Sequence, residues 1–127
     1  MRLSKHPAAE WRHEVFVCYV AVMVLVFLLP VPTTPVAESR QVDKLVHFGI
    51  FLGFARLCHI DRQWKAWWTF LISVAFAGGI ELVQSILPYR EGDWLDLVAG
   101  AAGGALGVVL GLLIEHRHPQ VRRSLDG

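Results

Sequence analysis

The sequence predicts an all-α integral membrane protein, a four-transmembrane-helix bundle with both termini in the cytoplasm. Hydrophobic residues make up 54% of the 127 residues and the mean hydropathy is +0.45, which is more apolar surface than one small soluble core can bury. Charged residues make up 18%, against about 25% in an ordinary soluble domain. Because the apolar residues fall into four long runs, each run is predicted to cross the membrane as one helix of a single domain.

The first span is predicted at about residues 15–31. Residues 15–37 contain no Asp, Glu, Lys or Arg, and a run of this length crosses a hydrocarbon core about 30 Å thick. A cleaved signal peptide is the alternative, but Glu10 and Glu14 in the leader favour an uncleaved span. Residues 1–14 are then a cytoplasmic N-terminal segment.

The second, third and fourth spans are predicted at about residues 42–60, 66–87 and 94–114. The second is apolar except near its two ends, where long charged side chains reach the membrane surface. The third carries Glu81 and Gln84 near its far end, and the fourth has no charge from 97 to 114. The transmembrane domain is thus predicted to occupy residues 15–114, followed by a cytoplasmic tail over 115–127.

The distribution of basic residues predicts the orientation, because Lys and Arg are retained on the cytoplasmic side. With four spans, nine basic residues fall on the side of the termini and three on the other. The three are Arg40, Lys44 and Arg90. This asymmetry predicts a multi-pass protein of the cytoplasmic membrane with both ends inside.

Charge and cysteine content exclude two other classes of protein. The formal net charge of +1 lacks the basic excess of an electrostatic nucleic-acid binder, so no nucleic-acid partner is expected. Cys18 and Cys58 both lie within apolar runs, which is typical of buried thiols and not of a disulfide scaffold. No cofactor is expected either, and the oligomeric state stays open.

The predicted topology brings the polar residues of three spans to the outer third of the bundle. Asp43 and His47 are four residues apart and so share a helix face, as do Glu81 and Ser85. A carboxylate as deep as Glu81 is costly unless it faces the interior and finds a partner. One connected polar network is therefore expected. Its members are Asp43, Lys44, His47, Glu81, Gln84, Arg90, Asp93 and Asp96.

Structural roles are the alternative interpretation of these residues. Asp93 precedes the fourth span, where a carboxylate caps free backbone N–H groups. Lys44 can extend into the lipid headgroups. A salt-bridge clamp among Glu81, Arg90 and Asp96 would hold helices together without binding any ligand.

Glycines at four-residue spacing in the fourth span predict close helix packing. Gly103, Gly107 and Gly111 form one such series, and Gly100 with Gly104 forms another. Small residues at this spacing allow backbones to approach closely in lipid. Packing within the chain is favoured over a dimer contact, with Gly78 and its glycine neighbour in the third span as the expected partner.

Two segments resemble the VanZ-like family. They are DKLVHFGIFLGF, from Asp43 to Phe54, and GGIELVQSILPYREGDWLDLVAG, from Gly78 to Gly100, with glycines at four-residue spacing after it. The family is similar in an Asp-Lys-x-x-His-Phe opening, a Glu-x-x-Gln, a following Arg, and an Asp that leads a glycine-rich last helix. The resemblance covers roughly residues 40–111. Gly100 departs from it, because the family often has Asn there.

The resemblance implies a bacterial cytoplasmic-membrane protein of a family whose founding members are associated with resistance to teicoplanin-type glycopeptide antibiotics. It also implies a set of binding residues. Carried onto this sequence, these are Asp43, Lys44, His47, Glu81, Gln84, Arg90 and Asp96.

The polar end is predicted to bind an anionic lipid headgroup or a lipid-linked cell-wall precursor, with membrane lipids as partners. Lys44 and Arg90 would hold phosphate by charge-assisted hydrogen bonds. His47 and Glu81 are the candidates for a general base or acid, since burial tunes both groups toward neutral pH. Because no Ser or Cys lies beside a base in a known signature, enzyme activity stays open.

Three other functions compete with this prediction. Asp43, His47, Glu81 and Asp96 include the ligand types of a divalent metal site. No metal signature is present, and nearby cations would oppose a metal ion, so no metal is predicted. A non-catalytic scaffold or partner-binding subunit is the second. A proton-coupled transporter is disfavoured, because polar residues are confined to one third of the bundle.

Overall fold

The computed structural model describes residues 7–30, 40–61 and 64–118, and every regular element in these ranges is an α-helix. The elements are α1 (Pro7–Leu28), α2 (Arg40–Asp61), α3 (Ala66–Ile86) and α4 (Trp94–Arg117). The all-helical prediction is confirmed. The helix α1 begins ahead of the predicted start at residue 15. Parts of the predicted N-terminal segment, of the C-terminal tail and of the first connection, with the predicted end of the first span, lie outside the described residues.

Prolines and a capping aspartate set the helix boundaries. Pro7 occupies the first position of α1, where its missing N–H is not needed. Leu87 ends α3 in an extended conformation, with φ −83° and ψ 132°, as expected for the residue before Pro88. Asp93 precedes α4, and its carboxylate accepts a hydrogen bond from the N–H of Leu95. This loop therefore fixes the start of α4 beside the end of α3.

Three of the four helices are long and apolar enough to cross a membrane, namely α1 over Trp11–Leu28, α3 and α4. The remaining helix, α2, has 22 residues, which reach about 33 Å at 1.5 Å per residue. It contacts all three other helices, so much of its surface lies within the protein. The chain is thus a membrane protein, and a crossing by α2 and a cytoplasmic placement of the termini stay predictions.

The series Gly103, Gly107 and Gly111 of α4 packs against α2, whereas Gly104 packs against Ser73 of α3, so the expected glycine pair of α3 is not the partner. A Cβ added at Gly103 would overlap the backbone carbonyl of Phe48, and one at Gly107 would lie 2.5 Å from the carbonyl oxygen of Leu52. The pair α2–α4 is the closest in the bundle. Around Gly79, by contrast, a Cβ would meet nothing within 4 Å. The spacing identified close packing correctly but did not reveal which helix is the partner.

An aromatic core joins α1, α2 and α3. The ring of Phe51 lies 5.8 Å from that of Phe27 and 6.2 Å from that of Phe54, measured between centroids. Phe54 also packs 5.5 Å from Phe76 of α3. Met23 and Phe27 are buried in this core, whereas most of α1 is exposed on its other faces. These rings place α1 against the end of α2 that carries His47.

Side chains hydrogen-bond the backbone of α1 and α2 across the bundle. The amide of Gln84 donates to the carbonyl oxygen of Phe27 at 2.8 Å, and the hydroxyl of Tyr89 donates to that of Leu28 at 2.9 Å. Carbonyls in the last turn of a helix have no intrahelical partner. Between α1 and α2, the hydroxyl of Tyr19 donates to the backbone carbonyl oxygen of Ile50 at 2.7 Å. The end of α1 is therefore fastened to α3 and the following turn.

Replacing Gln84 with Leu should destabilise the protein, because it leaves the carbonyl of Phe27 without its donor in a buried place. A buried unpaired acceptor costs about 1–3 kcal/mol. We expect a lower midpoint of thermal unfolding in detergent, and faster cleavage within α1 by limited proteolysis. Tyr89→Phe removes an exposed hydrogen bond of the same kind and should have a smaller effect. Equal effects of the two changes would contradict this account.

Candidate functional site: a polar cluster at one end of the bundle

The polar cluster lies where the start of α2, the end of α3 and the start of α4 meet. Successive helices run in opposite directions, so these three ends share one side of the bundle, together with the loop between α3 and α4. The term polar cluster denotes these seven residues: Asp43, Lys44, His47, Glu81, Arg90, Asp93 and Asp96.

His47 is at the centre of the cluster and is fully buried. Its ring stacks on Phe27 with the centroids 4.3 Å apart. The Nδ1 atom lies 3.0 Å from the backbone carbonyl oxygen of Asp43. Because a carbonyl only accepts hydrogen bonds, Nδ1 carries a hydrogen, and a neutral His47 therefore has its lone pair on Nε2. This Nε2 points to α3.

Glu81 lies across from that nitrogen. Its Oε1 is 3.1 Å from His47 Nε2, and its Oε2 accepts a hydrogen bond of 2.9 Å from the backbone N–H of Asp93. The loop backbone thus holds one carboxylate oxygen of Glu81 and leaves the other directed at the imidazole. Gly92 allows this approach, since a Cβ there would lie 3.2 Å from the carbonyl oxygen of Glu81.

Lys44 connects the start of α2 with the start of α4. Its Nζ donates to Oδ2 of Asp93 at 3.0 Å and lies 3.6 Å from Oδ1 of Asp96. Asp96 is 2% exposed, whereas the side chains of Lys44 and Asp93 are about a quarter exposed. The cluster therefore has an accessible edge at Lys44 and a buried floor at Asp96.

Arg90 pairs with Asp43 and not with the Glu81 and Asp96 of the clamp considered in the sequence analysis. Its Nη2 lies 3.7 Å from Oδ1 of Asp43, and its side chain is 8% exposed. Glu81 instead has His47 and the backbone of Asp93 as neighbours. Arg90 thus neutralises the carboxylate at the start of α2.

Three buried atoms in the cluster have no hydrogen-bond partner among the residues that the structure describes. They are His47 Nε2, Glu81 Oε1 and Asp96 Oδ1. The first two lie 3.1 Å apart and the third lies 3.6 Å from Lys44 Nζ, but none of these contacts is a hydrogen bond. Buried polar atoms are nearly always hydrogen-bonded, so three exceptions in one cluster mark a place with unused binding capacity.

Asp93 is more central than a helix cap requires. Its backbone N–H binds Glu81, and its carboxylate binds both the N–H of Leu95 and the ammonium of Lys44. The hydrogen bond from Leu95, followed by that from Lys44, lowers the pKa of Asp93 below its ordinary value. Asp93 therefore stays charged at neutral pH and fixes three elements at once.

One residue of the predicted network, Gln84, lies outside the cluster, and so does Gly100, where the sequence departs from the family pattern. Gln84 is buried and donates to the carbonyl of Phe27. Gly100, where the similar family often has Asn, packs against Phe51 and Ala77, and a Cβ there would lie 3.0–3.1 Å from their side chains. A larger residue at 100 would have to displace these neighbours, so the aromatic core explains glycine at this position.

A second polar contact, which was not predicted from the sequence, lies at the opposite end of the bundle. The Nε2 of His59 lies 2.9 Å from Oε1 of Glu115, and its Nδ1 lies 3.2 Å from the carbonyl oxygen of Trp64. Gly111 makes room for this imidazole, because a Cβ there would lie 2.6 Å from it. The signal was a histidine at the end of an apolar run, with an acid at the end of α4.

The sequence of the chain matches the VanZ/LLP1 family over residues 15–115. The chain belongs to the VanZ/LLP1 family. An uncharacterized protein of the fission yeast Schizosaccharomyces pombe is similar to it, with 31% identity over 123 residues that cover 92% of this chain and 74% of that protein. No solved structure matches the chain. The resemblance stated from the two polar segments is thus confirmed.

Membership of the VanZ/LLP1 family agrees with the membrane-spanning helices and leaves the cluster's function to be argued from its geometry. The yeast relative carries no assigned activity. Because that relative is eukaryotic, similarity alone does not assign this chain to a bacterium. The bacterial membrane, a role in the cell envelope and the binding residues therefore stay predictions.

Proposed function

We propose that the polar cluster binds the phosphate-bearing headgroup of an anionic membrane lipid or of a lipid-linked cell-wall precursor. In this proposal the protein lies in a bacterial cytoplasmic membrane, with the cluster at the outer leaflet and both termini inside. A link to the response to glycopeptide antibiotics would follow from a wall precursor as ligand. The observation that supports binding is the set of three buried polar atoms that make no hydrogen bond within the described residues.

A clamp that only holds helices together is the alternative, and the three buried atoms without a hydrogen bond argue against it. Leaving a polar group buried without a partner costs about 1–3 kcal/mol. A structural clamp gains from satisfying its own donors and acceptors, as Asp93 does with Leu95. Strained or unsatisfied groups that persist in a folded protein are more typical of sites that bind.

The cations at the cluster fit a phosphate group. Lys44 lies at the accessible edge and carries an ammonium on a flexible stem, so it can turn from Asp93 to a headgroup. Arg90 adds a planar guanidinium that matches two phosphate oxygens at once. A ligand arriving from the lipid reaches Lys44 without crossing the aromatic core. Phosphate is the headgroup element that these donors recognise best.

Lys44→Gln is the decisive test, and we expect it to weaken binding of a phosphate-bearing lipid by about tenfold or more, as for the loss of a charge-assisted hydrogen bond. Native mass spectrometry of the detergent-purified protein measures the occupancy. Phosphatidylglycerol and a polyisoprenyl phosphate serve as separate probes, because they distinguish a bulk lipid from a precursor carrier.

Arg40→Gln is the matched control. Arg40 is another cation at the same end of the bundle, is exposed, and lies 3.8 Å from the exposed Glu91, outside the polar cluster. Its substitution should leave binding near that of the wild type. Similar losses in both variants would show a general attraction of the surface charge, and no loss in Lys44→Gln would contradict the proposal.

A further inference from the structure

We propose that the polar cluster holds a divalent transition-metal ion, of the Zn²⁺ or Mn²⁺ class, through Asp43, His47 and Asp96, with the carboxylate of Glu81 beside His47. This deepens the proposed function, since the ion would supply a positive contact for the phosphate of the headgroup. Metal binding is tested with the ion alone and so stands or falls separately from headgroup binding.

The donor atoms of three residues are close enough for one ion. Asp43, His47 and Asp96 each offer one ligand atom, and these atoms lie within 4.8 Å of one another. Glu81 brings Oε1 to within 3.1 Å of His47 Nε2. One imidazole nitrogen with carboxylate oxygens is a donor set that suits Zn²⁺ and Mn²⁺. Mg²⁺ fits less well, because it prefers oxygen ligands.

The buried atoms without partners point to a cation. His47 Nε2 and Glu81 Oε1 lie 3.1 Å apart with no hydrogen bond between them, and each keeps a lone pair when His47 is neutral. Two lone-pair atoms this close together are stabilised by a positive charge beside them. Asp96 Oδ1, on a side chain that is 3% exposed, is the third such atom.

The groups behind the donor atoms hold them as a metal site requires. The carbonyl of Asp43 fixes the hydrogen of His47 on Nδ1 and leaves Nε2 as the ligand. The backbone N–H of Asp93 holds Oε2 of Glu81 and leaves Oε1 available. Hydrogen bonds of this kind orient metal ligands and set their affinity. His47 Nε2 and Glu81 Oε1 are therefore oriented before any ion binds.

The charge of the cluster also favours an added cation. Four carboxylates, on Asp43, Glu81, Asp93 and Asp96, face the two cations Lys44 and Arg90, so the formal charge is −2 with a neutral His47. A net negative charge at the end of a membrane bundle is costly. A divalent ion makes the cluster neutral, and a phosphate then meets no excess of carboxylates.

Lys44 and Arg90, whose charges disfavoured a metal ion in the sequence analysis, both form ion pairs in the structure. Lys44 Nζ lies 3.0 Å from Asp93, and Arg90 Nη2 lies 3.7 Å from Asp43. The first of these pairs lies at the accessible edge. Lys44 Nζ also lies 3.6 Å from Oδ1 of Asp96, and its flexible, partly exposed side chain can turn away when an ion binds there.

Titration of the chelator-treated protein in detergent with Zn²⁺, Mn²⁺ or Mg²⁺ alone tests the site. We expect one equivalent of Zn²⁺ or Mn²⁺ by calorimetry and by elemental analysis, and at least tenfold weaker binding of Mg²⁺. Co²⁺ as a spectroscopic substitute should give visible absorption bands from a nitrogen–oxygen site. His47→Gln should weaken binding by about a hundredfold and remove those bands.

Two further variants keep the test decisive if His47→Gln does not fold. Asp43→Asn changes a ligand that is a third exposed, and it should weaken ion binding at least tenfold. Glu91→Gln removes an exposed acid at the same end and should bind like the wild type. Less than one equivalent in the wild type, or wild-type affinity in Asp43→Asn, would overturn the metal site.

Lipid binding with and without the chelator separates the two proposals. If no ion binds and lipid binding still depends on Lys44, the headgroup proposal holds and the metal inference fails. If the ion binds with the expected stoichiometry and lipid occupancy does not depend on Lys44, the metal inference holds and the headgroup proposal fails.

Discussion

Replacing Gly103 with Ala should unfold or severely destabilise the protein. A Cβ at this position would overlap the carbonyl oxygen and carbon of Phe48, which are backbone atoms and cannot rotate away. The helices α2 and α4 would have to separate, and the neighbouring contact at Gly107 would be lost with them. Overpacking costs about 1–3 kcal/mol, and we expect the upper end of this range because the whole helix pair must move.

Thermal unfolding in detergent measures this effect. A loss of about 2–3 kcal/mol corresponds to a midpoint lower by roughly 10 °C for a protein of this size. Gly79→Ala is the matched control, because Gly79 lies in the helix α3 with nothing within 4 Å of an added Cβ. That variant should be as stable as the wild type or slightly more, since Ala favours a helix by about 1 kcal/mol over Gly. Equal midpoints for the two variants would contradict the packing described here.

We expect Asp96→Asn to stabilise the chelator-treated protein and to abolish binding of the metal ion. The carboxylate of Asp96 is buried, its Oδ1 has no hydrogen-bond partner in the described part of the chain, and three other carboxylates share the cluster. Asparagine has nearly the same shape, removes one negative charge and adds a donor for nearby carboxylate oxygens. Lys44 keeps its contact with Asp93.

We expect the unfolding midpoint of Asp96→Asn to rise by an amount equivalent to about 1–2 kcal/mol, a gain typical of relieving an unfavourable functional site. The structural clamp predicts the opposite, because a clamp loses an ion pair and leaves Lys44 with less compensation. Glu91→Gln again serves as the control, since this exposed acid lies outside the cluster. A fall in the midpoint specific to Asp96→Asn would favour the clamp.

The sequence predicted the elements of the fold because membrane helices carry a strong local signal. The absence of charge over residues 15–37 and 97–114 was sufficient to identify α1 and α4. The signal is weaker for α2, whose polar residues lie at both ends and whose core face is covered by the other helices. Its crossing of the membrane therefore rests on topology and not on its composition.

The sequence predicted which residues gather at the candidate site better than it predicted which of them contact each other. Spacing along each helix placed Asp43, His47 and Glu81 at the same end, because opposite helix directions follow from short connections. It did not reveal that Glu81 lies beside His47 and Arg90 beside Asp43. Such pairings depend on the rotation of each helix about its axis, which one sequence does not state. Gln84 was assigned to the network and instead binds the carbonyl of Phe27.

The sequence by itself determined that this is a helical membrane protein of the VanZ-like type, with a set of acidic and basic residues from three spans at one end. Hydropathy and polar spacing are properties of single segments, so they can be read without knowing the neighbours. Only the tertiary structure decided that α4 packs on α2, and that three buried atoms of the polar cluster make no hydrogen bond within the described residues. Both depend on which helix faces each surface, and this is set by the sum of contacts over the whole bundle.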